Sequence, residues 1–135
     1  MAETLVVKSA DASIDASTGM VAPQVSQRLL GEDIAGPMVP LRLHTDGLLY
    51  RASAAAANAN RNIFGWSSRK GKTGQPMTVY GVGLVGKYAD GTLTPGAVLF
   101  LGETAGALSS IATTGDANGC AQAIDDSNIR ITRNI

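Results

Sequence analysis

From Val39 onward, turn-forming residues interrupt short alternating apolar runs at intervals of roughly eight to twelve residues, a spacing that belongs to β-sandwiches and barrels. Val39, Leu41 and Leu43 alternate with Pro40, Arg42 and His44, so one face is apolar and the other polar. Asp46-Gly47 supplies a hairpin signal, with Leu48–Ala52 as the return strand. Ser53–Asn60, rich in Ala and Asn, reads as a connection, and Asn62–Ser67 as the next strand. A Gly- and Lys-rich loop, Arg69–Gln75, leads into one long strand candidate, Pro76–Lys87. Asp90-Gly91 and Thr94-Pro95-Gly96 mark further turns. Shorter strands are expected at Ala97–Leu101, Ala107–Ile111, Cys120–Ile124 and Asn128–Arg133.

Composition agrees. A chain of 135 residues fits one domain with one modest core. Its apolar residues are mostly small, with one Trp, two Phe and three Tyr, and 16 Gly favour strands joined by turns over a helical bundle. The expected fold is all-β, a small sandwich or barrel over residues 38–135, preceded by an extended N-terminal arm at 1–37.

That arm differs in pattern from the rest of the chain. Thr4–Val7 is a short β-prone run, and Ser9–Gly19 is small and polar. Pro23 is placed to open a single short helix, because Val25 and Leu29 lie four apart and Gly31 is positioned to end it. A long segment with little regular structure usually serves a partner. Leu5, Val6, Val7, Val25, Leu29 and Leu30 are its candidate contact residues.

The formal net charge is zero, which gives no general reason to expect nucleic acid or membrane as a partner. Charge is nevertheless segregated: between residues 39 and 72, Arg42, Arg51, Arg61, Arg69, Lys70 and Lys72 face Asp46 alone. Such a run is either a solvated loop face or a basic surface for an acidic neighbour, with Arg61, Arg69, Lys70 and Lys72 as its candidates. One cysteine, Cys120, rules out an internal disulfide. Met1–Lys8 lacks the basic start and apolar stretch of a secretory leader, so synthesis and assembly in a reducing cytoplasm are expected.

Signals for chemistry occur as strings and fail on context. Gly81-Val82-Gly83-Leu84-Val85-Gly86 has the letters of a dinucleotide fingerprint, but a strand end and the Asp90-Gly91 turn stand where a helix is required. Alternating glycines in a strand point instead to bends or close backbone approach. Gly71-Lys72-Thr73 ends like a phosphate loop, but Trp66 stands where its first glycine belongs. His44 and Cys120 fall on separate strands, and Asp125-Asp126 with Asn128 lacks calcium-loop spacing. No catalytic residue, cofactor or metal is expected.

Four stretches carry a family likeness. They are Asp46-Gly47-Leu48-Leu49-Tyr50-Arg51-Ala52, Asn62-Ile63-Phe64-Gly65-Trp66, Gln75-Pro76-Met77-Thr78-Val79, and Leu93-Thr94-Pro95-Gly96-Ala97-Val98-Leu99-Phe100-Leu101. In order and spacing, with the closing Cys120–Asp125 and Ile129–Thr132 pair, they resemble the decoration, or cement, proteins of tailed-bacteriophage capsids. The resemblance implies a non-enzymatic virion protein on the outer capsid surface that reinforces contacts between major capsid protein subunits. It also implies a homo-oligomer, dimer or trimer. A virion-surface module binding glycans would use the same β-domain and would present Trp66, Tyr80 or Tyr88 to solvent.

Overall fold

The computed structural model describes residues 3–14 and 24–132. Among these residues eleven strands form: β1 (Ser13–Ile14), β2 (Gln24–Leu29), β3 (Pro40–Leu43), β4 (Leu49–Arg51), β5 (Gly65–Ser67), β6 (Pro76–Tyr80), β7 (Val85–Lys87), β8 (Val98–Leu101), β9 (Leu108–Ser109), β10 (Ala121–Ala123) and β11 (Asn128–Ile131). They make a six-stranded sheet in the order β1-β7-β11-β10-β8-β9 and a five-stranded sheet in the order β2-β6-β5-β3-β4. Every strand pair is antiparallel. The fold is a small β-sandwich, one of the two architectures the turn spacing allows, and its helical content among the described residues is one 3-10 turn at Ala59–Arg61.

Two cores hold it. Between the sheets, Trp66 of β5 packs with Leu99 and Leu101 of β8, Ala121 of β10 and Ile129 and Ile131 of β11. A second core lies on the other face of the five-stranded sheet, built from Leu30, Ile34, Val39, Leu41, Leu49, Met77 and Val79. That sheet is therefore apolar on both faces. It curls until Leu30, just beyond the β2 edge, bridges Leu49 in β4 at the opposite edge.

The N-terminal segment behaves similarly toward the six-stranded sheet. Leu5 bridges Ser109 beside β9, with Val6 N–H donating to Leu108. Ser9 N–H donates to the Tyr88 carbonyl, and Ser13–Ile14 then pairs with β7 at the far edge. Glu3 fixes the start of this strap, accepting bonds from the backbone of Glu103 and Thr104 and from the Thr104 hydroxyl. Those bonds, the Thr104 hydroxyl first among them, hold the Glu3 carboxyl below its ordinary range.

Two local expectations change. The helix placed between Val25 and Leu29 is strand β2, paired along its length with β6, and the register shifts between Gln24 and Ser26, at Val25. Pro23 and the 15–19 end of the polar stretch lie outside the described residues. The single strand expected over Pro76–Lys87 is two strands in different sheets. Gly83 stands in the break with φ of 99°, a conformation that glycine adopts without Cβ strain.

Candidate interaction surface

The residues named as contacts from sequence fall into different environments. Leu5 and Val7 are exposed, at 49% and 76%, while Val6 turns inward against the first core. This is strand alternation at work, with every second side chain facing out. Leu29 is 49% exposed, but Leu30 is fully buried and belongs to the second core, so it is not a contact residue. The bridge to Leu49 and the hydrogen bond from Leu30 N–H to Gln75 turn that side chain inward.

Leu5 and Val7 form one rim of an open groove of about 250 Å³, with Thr94 and the 45%-exposed Val98 on the other and Leu93 and Leu99 beneath. Among the described residues no ionisable side chain lines it. Thr4 and Val6 direct their backbone groups to β9. By alternation the N–H and C=O groups of Leu5 and Val7 point away from β9, and among the described residues they take no partner. The surface thus combines an uncharged groove of mixed polar and apolar lining, Thr92, Thr94 and Ser110 included, with a short strand edge that takes no partner among the described residues. Of its members, sequence reasoning named Leu5, Val6 and Val7 and missed Leu93, Thr94 and Val98, whose signal was hidden in a turn motif.

The cations do not form one basic face. Arg61 precedes β5 and donates to the Gly115 carbonyl. Arg69, beyond the other end of β5, spends its guanidinium inside its own loop, on the carbonyls of Lys70 and Pro76 at 2.9 and 2.5 Å. Lys72 lies beside Asp33, whose carboxyl is held below its ordinary range chiefly by the Thr73 backbone N–H and hydroxyl, with Lys72 adding a smaller effect. Arg51 pairs with Glu32 at 3.0 Å, and Arg42 stacks over Tyr50. Lys70 turns toward a groove that it shares with Lys8, and Arg61 lines a different one, beside Asp116 and Asn118.

Groups considered for chemistry stay apart. Cys120 is buried in the first core and His44 is exposed at the end of β3, against Arg42 and Tyr50. Asp125 serves as a turn anchor, accepting from Ser127 N–H and from the backbone and side chain of Asn128, which hold its carboxyl below the usual range. Among the described residues no group of three or more His, Cys, Asp or Glu side chains is arranged to hold a metal ion. No described helix is long and apolar enough to cross a membrane. Of the aromatics named for a glycan-binding surface, Trp66 and Tyr88 are buried and Tyr80 is half-buried.

Comparison of the chain with protein-family models, with curated proteins and with solved structures finds no match.

Proposed function

We propose that this protein is a structural component of a tailed-phage virion, docking on the outside of the capsid and stabilising contacts between major capsid protein subunits. The observation that carries this reading is the uncharged groove bounded by Leu5, Val7 and Val98, which a small soluble β-sandwich would otherwise cover or blunt. Apolar strand edges left bare invite pairing with another chain and are usually guarded by charge or proline. Here the run Thr4-Leu5-Val6-Val7 carries neither. The ordered series of hairpin and turn motifs supports the capsid as the partner, and each lies where strands meet turns: Asp46-Gly47 joins β3 to β4 and Thr94-Pro95-Gly96 enters β8. A contact of standard size, about 800 Å² per partner, repeated over a lattice gains from avidity even when each copy binds weakly.

The test is co-sedimentation of the purified protein with undecorated phage heads. Saturable binding at a fixed copy number per capsid subunit is expected. Val98→Arg, which places a charge on an exposed position of the groove rim, should abolish it while leaving the melting temperature unchanged. A folded wild-type protein that does not sediment with heads would overturn the reading.

A further inference from the structure

A second groove, of about 310 Å³, carries positive charge and is lined by no carboxylate among the described residues. Lys8 and Ala10 form one wall; Ala35, Gly36, Pro37 and Lys70 form the other. Lys8 is half-buried, and its Nζ donates to the Pro37 carbonyl at 2.5 Å and sits 5.7 Å from the centroid of the Tyr88 ring. A carbonyl dipole and a ring face soften the loss of water but are not counter-charges. Burial pushes the Lys8 ammonium down to about 8. Lys70, exposed, adds a second ammonium.

Among the described residues the neighbouring carboxylates are engaged elsewhere or lie on exposed turns. The nearby Asp90 is taken by the Ser9 hydroxyl at 2.8 Å and by Lys87 at 3.3 Å, and Asp33 by Thr73. Asp11 sits on an exposed turn, its N–H bonded to Ser9 Oγ. The backbone N–H groups of Ala10, Ala35 and Gly36 donate to no acceptor among the described residues. Two ammonium groups, with three backbone N–H groups on lining residues that take no acceptor among the described residues, make a site short of acceptors. It has no guanidinium fork, the geometry that favours bidentate phosphate recognition.

We propose that this groove is a carboxylate-binding site, occupied by a single Asp or Glu side chain of a partner protein. The assignment requires an acidic partner but not that the partner be a capsid, and it is tested on the free protein. The chain has four lysines, Lys8, Lys70, Lys72 and Lys87, so selective ¹³C labelling of lysine gives few signals to assign. Titrated in sodium chloride, Lys8 should show a midpoint below the ordinary lysine value. In sodium acetate at equal ionic strength that midpoint should rise, because a bound carboxylate favours the charged amine. Lys72 and Lys87 should not shift with it, acetamide should have no effect, and Lys70→Met should remove most of the rise.

An equal response of all four lysines, or none, would overturn the site. A rise in inorganic phosphate without one in acetate would overturn the carboxylate class. Binding of acetate but not of a short capped peptide bearing one glutamate would overturn the partner side chain as the source.

Discussion

Leu29 and Leu30 are neighbours with opposite roles. Leu29 ends β2 beside Pro76, half in solvent, and Leu30 fills the second core. Leu29→Asp is expected to change stability by no more than about 0.5–1 kcal/mol, as surface changes do. Leu30→Asp buries a charge without a partner and should cost upwards of about 4 kcal/mol, enough to unfold a domain of ordinary stability. Thermal melts of the two variants separate these outcomes. Lys8 adds a pH dependence. Its folded-state value of about 8 lies below the ordinary 10.5, so between those limits the unfolded chain holds more protons and stability rises with pH. Below about 8 both states are protonated and the burial cost is felt in full. Lys8→Met should therefore stabilise the protein near neutral pH by roughly 1 kcal/mol, after allowance for the lost bond to Pro37. The gain should shrink toward pH ~10 as wild-type Lys8 loses its proton first. Urea denaturation of both proteins at the two pH values measures it, and a gap that widens with pH contradicts it.

At the scale of elements, what was legible in the sequence was local. The β3–β4 hairpin is set by Asp46-Gly47, where Asp46 accepts from Leu48 N–H at 2.9 Å and from the Tyr50 hydroxyl at 2.7 Å. Strand β11 is set by Ile129 and Ile131, buried on either side of exposed Arg130. Strand β2 was not legible, because its pairing with β6 spans some fifty residues and its Val25–Leu29 spacing also suits a helix turn. Half of the candidate surface was hidden for the same reason: Leu5 and Val7 meet Val98 only through the fold. Lys8 had no signal at all, since nothing local shows that Pro37 and Tyr88 will enclose it. The glycines of the fingerprint-like string do have a role of their own. A Cβ on Gly86 would lie 2.4 Å from the Ser13 carbonyl oxygen and 2.9 Å from Met38 Sδ, against the backbone of β1. Gly86→Ala should cost about 2–3 kcal/mol and detach β1 from β7. Hydrogen exchange would then speed up at Ser13 and Ile14 while β10 and β11 stay protected, and unchanged exchange at β1 would count against this account.

Across the whole molecule, the N-terminal third fastens both sheets. Glu3 to Ile14 joins the β9 edge to β7, and β2 with Leu30 and Ile34 completes the five-stranded sheet and its second core. A sequence-based division at residue 37 would leave 38–135 as the folding unit. That fragment loses two of the seven buried residues of the second core, Leu30 and Ile34, and the partner strand along β6. Removing a buried Leu or Ile costs about 2–5 kcal/mol each, so the loss approaches the whole stability of a typical domain, about 5–15 kcal/mol. The bared edges of β6 and β7 would add a tendency to aggregate. Residues 38–135 expressed alone should therefore give collapsed, poorly dispersed amide resonances and no cooperative melt. Adding a peptide of residues 1–37 in trans should restore both, because what its described residues supply is strand pairing, burial and side-chain hydrogen bonds, none of which needs chain continuity. A fragment that folds cooperatively by itself would instead make the first 37 residues dispensable to the fold and free to serve a partner.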